Sequence, residues 1–423
     1  MRILVLGTGG REHALSWKIA QSPLAEAVWA SSVVADAEPG LKSIPEFPDA
    51  AACAAFCAAQ SIDLVVIGPE APLVAGWSDV LRASGLAVFG PDARGARLEG
   101  SKIAAKEFMR KYGIPTADFV VCRDLEEVRG HVGRFGAVPV VKYDGLAAGK
   151  GVAVPSTIGE AVAFAGEGFT RGGQTRLLLE ERLTGPEISL LAITDGRRVH
   201  LLPPSQDHKR LGEGDLGPNT GGMGAYTPVP GCDPARLAEL ERIVFEPFLA
   251  GVAEEGFDYR GLIYAGLMLT EAGPSVLEFN CRFGDPETQP LMCSMDGDIL
   301  PLLWSAAIGR LASRGMDTQA SLCVVLASRG YPADPRTGDE IHGLEEARLM
   351  PGVKIFHAGT RREGDRGEAG RFFTRGGRVL GVTGVGETLT LAAAAAYAAV
   401  DKIHFPGMQY RRDIGARALS PQE

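Results

Sequence analysis

The chain has 423 residues, 45% hydrophobic and 22% charged, with a formal net charge of −9. That length suits a globular protein of two to four domains, and the acidic balance excludes general binding to nucleic acid or to an anionic membrane surface. Anionic ligands must then be held by local lysines, arginines and backbone N–H groups, and many of the 55 glycines fall in short motifs that suit such loops. Seven cysteines with no CxxC pair and no zinc spacing point to a reducing cytoplasm. Met1-Arg2 leads straight into a strand, so no signal peptide is expected. No apolar run reaches the length of a membrane span.

Residues 3–6 form a continuous apolar strand of the kind buried in a parallel sheet. The glycine turn 7–10 then opens a helix with Leu15 and Ile19 on one face, an arrangement that cradles phosphate. Glu12 occupies the third glycine position of G-x-G-x-x-G, so this is not a dinucleotide fingerprint. Residues 63–70 and 86–91 repeat the strand-and-turn pattern, and residues 1 to about 95 read as a small doubly wound α/β domain. Ligands bind such sheets at the strands' carboxyl ends. Gly9, Gly10, Arg11, Glu12, Pro69 and Glu70 are therefore candidate substrate-binding residues.

Ser101 reads as an N-cap, followed by Ala104, Phe108 and Tyr112 at helical spacing. Lys102 in the first turn opposes the helix dipole, which hints at a bound anion. Residues 139–142 form a strand ending at Lys142, and 144–152 a loop of small residues. Gly145, Gly149 and Gly151 let backbone N–H groups approach a phosphate chain while Lys142 and Lys150 supply charge. The G-K-[ST] ending of a Walker A loop is absent, and a mobile lid over triphosphate fits the stretch better. Downstream, residues 181–183 suit backbone reading of adenine and Glu187 suits ribose hydroxyls.

Residues 205–210 are densely polar, 219–226 form a second glycine-rich loop, and 211–218 read as mobile between them. Strands 262–269 and 276–280 suit a hairpin. In the second, Glu278 and Asn280 should share one face and Leu277 and Phe279 the other. A carboxylate and an amide oxygen on a rigid strand suit a hard cation such as Mg²⁺ that takes its other oxygens from phosphates. Strand 262–269 carries no acid, so the site offers one carboxylate. Arg282 is a fork of donors for phosphate or carboxylate, and an acid-rich turn follows at 284–287. Short strands at 322–327, 354–357 and 379–383, with an Ala-rich helix at 389–400, read as a last domain.

Several blocks carry a resemblance: GTGGREHAL at 7–15, IGPEAPLV at 67–74, EGSK at 99–102, DGLAAGKGV at 144–152, SQDHKR at 205–210, GPNTGGMGAY at 217–226, EFNCRFGDPETQ at 278–289, GGRVL at 376–380 and RRDIG at 411–415. Nearly end to end, the chain resembles the phosphoribosylamine–glycine ligases (glycinamide ribonucleotide synthetases), a family of ATP-grasp enzymes. The resemblance implies a multidomain fold, α/β and α+β. It would comprise a doubly wound N-terminal domain (1–98), an ATP-grasp central domain (99–113 and 188–318), its hinged lid (114–187) and a small C-terminal domain (319–423). The implied reaction joins glycine to 5-phospho-β-D-ribosylamine at the expense of ATP, with Mg²⁺ or Mn²⁺.

By motif match, Glu278 and Asn280 would hold the metal. Lys102, Lys142 and the 144–151 loop would contact ATP phosphates, and residues 180–187, among them Glu180, Glu181, Leu183 and Glu187, would hold adenosine. Asn219, Thr220, Gly221 and Gly222 would bind substrate, and Asp207, Lys209, Arg282 and Asp285 would serve catalysis. The implied partners are the three small substrates, with no nucleic acid or membrane, in a cytoplasmic monomer or weak homo-oligomer. The chemistry agrees with this assignment. A carboxylate is a poor acyl donor until phosphorylated, and phosphoryl transfer needs positioning and charge neutralisation more than a protein nucleophile.

One departure stands out. Where the family has a Pro-Gly-Asn-rich turn, residues 31–36 read SSVVAD, and Val33 and Val34 resist φ > 0. A displaced turn beside the amine pocket is expected there. The alternatives are another ATP-grasp carboxylate–amine ligase, a non-catalytic nucleotide-binding protein, or an NAD oxidoreductase, the last weakened by Glu12. A biotin-dependent carboxylase is disfavoured by the lack of a biotinyl-lysine segment.

Overall fold

The computed structural model describes residues 1–146, 151–312, 315–364 and 370–419. Strands β1 (Arg2–Leu6), β2 (Ala27–Ser31), β3 (Lys42–Ile44), β4 (Leu64–Ile67) and β5 (Ala87–Phe89) form a parallel sheet in the order β3-β2-β1-β4-β5. Helices cover the sheet, so β1 and β4 are apolar without alternation. The order reverses between β1 and β4, which puts Gly7 and Gly68 at the crevice where such sheets bind ligands. The expected displaced turn after β2 is instead a short helix, Ser32–Ala37, with Val34 fully buried. Right-handed helical dihedrals suit the two valines that a φ > 0 turn would strain.

Strands β6 (Phe119–Cys122), β7 (Val140–Tyr143), β8 (Val152–Ala153) and β9 (Leu177–Glu180) make an antiparallel sheet in the order β6-β9-β7-β8. Helices Leu125–His131 and Ile158–Thr170 bury Val128, Ala161 and Ala165 with Val141 and Leu179 of this sheet.

The chain continues through β10 (Glu187–Thr194), β11 (Val199–Leu201), β12 (Gln206–Asp207), β13 (Arg210–Gly212), β14 (Leu216–Asn219), β15 (Gly224–Thr227), β16 (Gly261–Thr270) and β17 (Gly273–Asn280). The β16–β17 hairpin is present, within the sheet β11-β10-β16-β17. Its register slips once: Gly266 faces Glu278 and Leu267 faces Val276, so Leu277 is an extra residue. This bulge corrects the expected alternation. Val276 and Phe279 both belong to the buried core, while Leu277 between them is half-buried and outside it. The segment read as mobile, 211–218, is a paired hairpin, β13–β14. It is held by Arg411, which donates to Asp215 at 2.9 Å and to the Arg210 carbonyl at 3.2 Å.

The chain closes with β18 (Met295–Asp296), β19 (Asp317–Thr318), β20 (Ala320–Ala327), β21 (Glu340–Ile341), β22 (Val353–His357), β23 (Thr360–Glu363), β24 (Arg371–Thr374) and β25 (Arg378–Gly386). A five-stranded sheet runs β12-β15-β20-β25-β22, so strands from before and after residue 318 share one ladder. The Ala-rich helix Leu389–Val400 packs on it through Ala392, Ala396 and Val400. All seven cysteines are free thiols, and no helix among the described residues is long and apolar enough to cross a membrane.

Candidate active site

A cavity of about 720 Å³ is walled by helix Lys102–Lys111, by β7 and β9, by β17 and by the loop 219–221. On β17, burial pushes the Glu278 carboxyl up, but Lys209, Lys142 and Lys102 outweigh it and hold the group below its ordinary range. Glu278 therefore stays ionised. Two residues on, the Asn280 amide oxygen accepts from Arg282 Nη2 at 3.1 Å. Arg282 is not the free fork the sequence suggested. Its guanidinium lies 2.9 Å from Glu99 and 3.5 Å from Glu70, and it also donates to the Phe283 carbonyl. Glu99 in turn accepts from the Cys281 N–H, which fixes the strand end that carries Arg282.

At the side formed by β7 and β9, Lys142 contacts both oxygens of Glu180, at 3.0 and 2.9 Å, and donates to the Leu277 carbonyl at 3.1 Å. Lys106 reaches the same carboxylate at 3.0 Å and the Thr116 hydroxyl at 2.6 Å. Burial pushes the Lys106 ammonium down to about 8 against the pull of Glu180. With both lysines protonated this buried trio carries one net positive charge. Lys102 donates to the Gly145 carbonyl at 3.0 Å, which ties the helix start to the loop. Gly151, Glu181 and Leu183 border the cavity, whereas Gly145 does not. Gly149 and Lys150 lie outside the described residues.

At the other side Lys209 pairs with Glu187 and lies 4.0 Å from Glu278. Burial would lower the Lys209 ammonium, yet Glu187, Glu278, Tyr264 and Asp207 raise it well above its ordinary value. The Glu187 carboxylate, expected to be open to a ribose, is engaged by this lysine. Asp207 is raised well above the usual carboxylate range by burial and by Glu287. Glu287 is itself held by the Tyr264 hydroxyl at 2.8 Å. Asn219, Thr220 and Gly221 line the cavity. Gly222 does not, but it has φ +108, and an added Cβ would fall 2.4 Å from Pro286, so only glycine lets this loop close on the 284–287 turn. Asp285 borders the cavity and accepts from Gln289 at 2.9 Å.

The N-terminal turn departs from expectation. Gly9, Gly10, Arg11, Glu12 and Pro69 do not border the cavity, and only Glu70 of that group does. The Glu12 carboxylate itself occupies the cradle. It accepts from the Gly9 N–H at 2.7 Å and from Arg11 Nε at 2.6 Å. An added Cβ on Gly7 or Gly68 would lie 2.5 or 2.2 Å from the Glu12 side chain. Arg11 is buried and also donates to the Phe283 carbonyl, so it braces the turn after β17. Glu99, Lys106, Tyr264 and Glu287 also border the cavity, and no role was read for any of them in the sequence. The i,i+4 spacing of Lys102 and Lys106 was a usable signal, since it puts both on one helix face. Tyr264 was hidden in an apolar strand.

Models of the three phosphoribosylglycinamide synthetase domains match the chain in succession: the N domain over residues 1–99, the ATP-grasp (A) domain over 100–288 and the C domain over 321–417. The chain belongs to the phosphoribosylglycinamide synthetase family. The phosphoribosylamine–glycine ligase of Escherichia coli K12 is 46% identical over 435 residues, covering 100% of each chain. The crystal structure of phosphoribosylamine–glycine ligase from Thermotoga maritima superposes with a TM-score of 0.84 at 36% identity, covering 98% of this chain and 100% of that one. A biotin carboxylase domain of Hydrogenobacter thermophilus 2-oxoglutarate carboxylase, in complex with MgADP and bicarbonate, shares the fold. Its TM-score is 0.70 at 15% identity, with 97% of this chain and 91% of that one covered. As a phosphoribosylglycinamide synthetase, the protein is an ATP-dependent carbon–nitrogen ligase.

Proposed function

We propose that the chain forms glycinamide ribonucleotide from glycine, 5-phospho-β-D-ribosylamine and ATP by way of glycyl phosphate, as a step of purine biosynthesis. The observation that carries this reading is the convergence of the Lys106–Glu180–Lys142 trio, the ionised Glu278 and the 219–221 loop on one cavity. The two lysines and Lys102 attract the triphosphate, and residues 181–183 meet adenine. The segment from 114 to 187 acts as the lid, which excludes water from the acyl phosphate.

A glycine carboxylate oxygen attacks the γ-phosphorus, and the bond to the leaving ADP breaks. The amine nitrogen then attacks the acyl carbon, phosphate leaves, and the nitrogen loses a proton. In this reading Asp207, whose affinity for a proton is raised by burial and by Glu287, accepts it. Glu287 and Asp207 together suit the glycine ammonium before that step. Asn219, Thr220 and Asp285 border the phosphoribosylamine. Arg282 braces Glu70, Glu99 and Asn280 and so keeps β17 in place.

The donor set fits a hard divalent cation. Glu278 is ionised, and the Asn280 oxygen keeps a second lone pair beside the Arg282 contact. When bound, Mg²⁺ or Mn²⁺ supplies charge neutralisation on the transferred phosphoryl group. Seven free thiols suit a reducing cytoplasm.

The test is ADP release by the purified protein. It should require glycine and phosphoribosylamine together, and Glu278→Gln should lose at least about tenfold in turnover. Equal ADP release with glycine omitted would sink the reading.

A further inference from the structure

Arg378 belongs to the Gly-Gly-Arg-Val-Leu block at 376–380, which the reaction as written does not use. It opens β25 at a bulge: Leu326 faces Leu380 and Ala327 faces Arg378, so Val379 is the extra residue. Such bulges re-aim side chains beside functional sites. The guanidinium spans two loops that wall the cavity from distant parts of the chain. Its Nη1 donates to the Asp285 carbonyl at 2.7 Å and to the Gly221 carbonyl, and its Nη2 lies 3.2 Å from the Asp285 carboxylate. The Gly221 N–H donates to the Tyr331 hydroxyl at 2.9 Å. Both backbone polar groups of Gly221 are therefore held by side chains from beyond residue 320. An added Cβ on Gly221 would lie 3.1 Å from Arg378 Cζ, so the loop rests directly on the guanidinium.

Arg378 does not border the cavity, whereas Gly221 and Asp285 both do. We propose that Arg378 is a positioning residue for phosphoribosylamine: it clamps the 219–222 loop to the 284–287 turn, so that both walls of the amine pocket are set before the substrate arrives. A planar fork can serve two carbonyls and a carboxylate at once; a lysine ammonium on its flexible stem cannot hold that geometry. The inference rests on the proposed placing of phosphoribosylamine between these loops.

Steady-state kinetics of Arg378→Lys and Arg378→Met test it, with Asn219→Ala as a direct probe of the pocket and thermal melts to confirm folding. Arg378→Lys is expected to melt like the parent and to raise KM for phosphoribosylamine by about tenfold or more. KM for ATP should stay within about twofold. If Asn219→Ala raises the amine KM and both Arg378 variants leave it unchanged, the clamp is refuted and the pocket stands. If Asn219→Ala leaves the amine KM unchanged, or the Arg378 variants raise only the ATP KM, the pocket is misplaced and the clamp falls with it. A fall in kcat with both KM values unchanged also overturns the clamp, because a substrate-positioning role must appear in the amine KM.

Discussion

Lys106 shows how one residue couples burial to chemistry. It is only 2% exposed, and its ammonium shares Glu180 with Lys142. Its folded value of about 8 lies below its ordinary one, so the unfolded chain holds that proton more tightly. The protonated lysine therefore costs folding stability in full below pH 8, and the cost fades as pH rises toward the unfolded value near 10.5. For ATP the sign reverses. Deprotonation takes the trio from one net positive charge to none, so KM for ATP is expected to rise as pH climbs through about 8. Lys106→Met should raise that KM at neutral pH and abolish the alkaline limb. A parent KM for ATP that stays flat from neutral to about pH 9.5 would count against the assignment.

At the scale of elements, helices Gly10–Ala20 and Ser32–Ala37 meet β22 through a buried polar junction. His357 N–H donates to His13 Nδ1 at 2.8 Å, so His13 carries its proton on Nε2, which faces Glu38 at 3.2 Å. Lys354 binds the same carboxylate at 2.6 Å, and Arg348 donates to the Ala37 carbonyl. Burial keeps His13 neutral. Burial also pushes the Glu38 carboxyl up, but His13 and Lys354 outweigh it and hold it below its ordinary value. This contribution to stability is present above the unfolded carboxylate value and is lost as pH falls through the folded one. Glu38→Gln is expected to lower stability by roughly 1.5–3 kcal/mol at neutral pH. In urea titrations the gap between parent and variant should close in acid. A gap that does not change with pH would show that the junction does not depend on the Glu38 charge.

Across the whole molecule, the segment after residue 318 completes the sheet of the segment before it. β15 pairs with β20 over four residues, and Met223 and Tyr226 share a core with Leu322 and Val324. A chain ending at 318 would bare the β15 edge and that apolar face, a template for aggregation. It is expected to show no cooperative thermal transition by circular dichroism and to lose ATP binding. A soluble truncated chain with a cooperative melt would falsify this dependence. The same coupling explains how Arg378 and Tyr331 reach Gly221, more than a hundred residues earlier.

The sequence by itself determined the parallel N-terminal sheet, the β16–β17 hairpin and the residue types at the centre of the site, because apolar runs, turn residues and the E-x-N-x-R spacing are local patterns. Tertiary structure alone decided which of those groups are free to act. Arg282 and Glu187 read as open to ligand, yet each is already matched by opposite charges brought from distant segments. Glu12 read as part of a phosphate cradle, yet its own carboxylate fills that cradle. The Leu277 bulge escaped notice because register is set by the partner strand. Lys106 and Arg378 acquire their roles only through groups that folding sets against them, since charge pairing across the fold leaves no trace in local spacing.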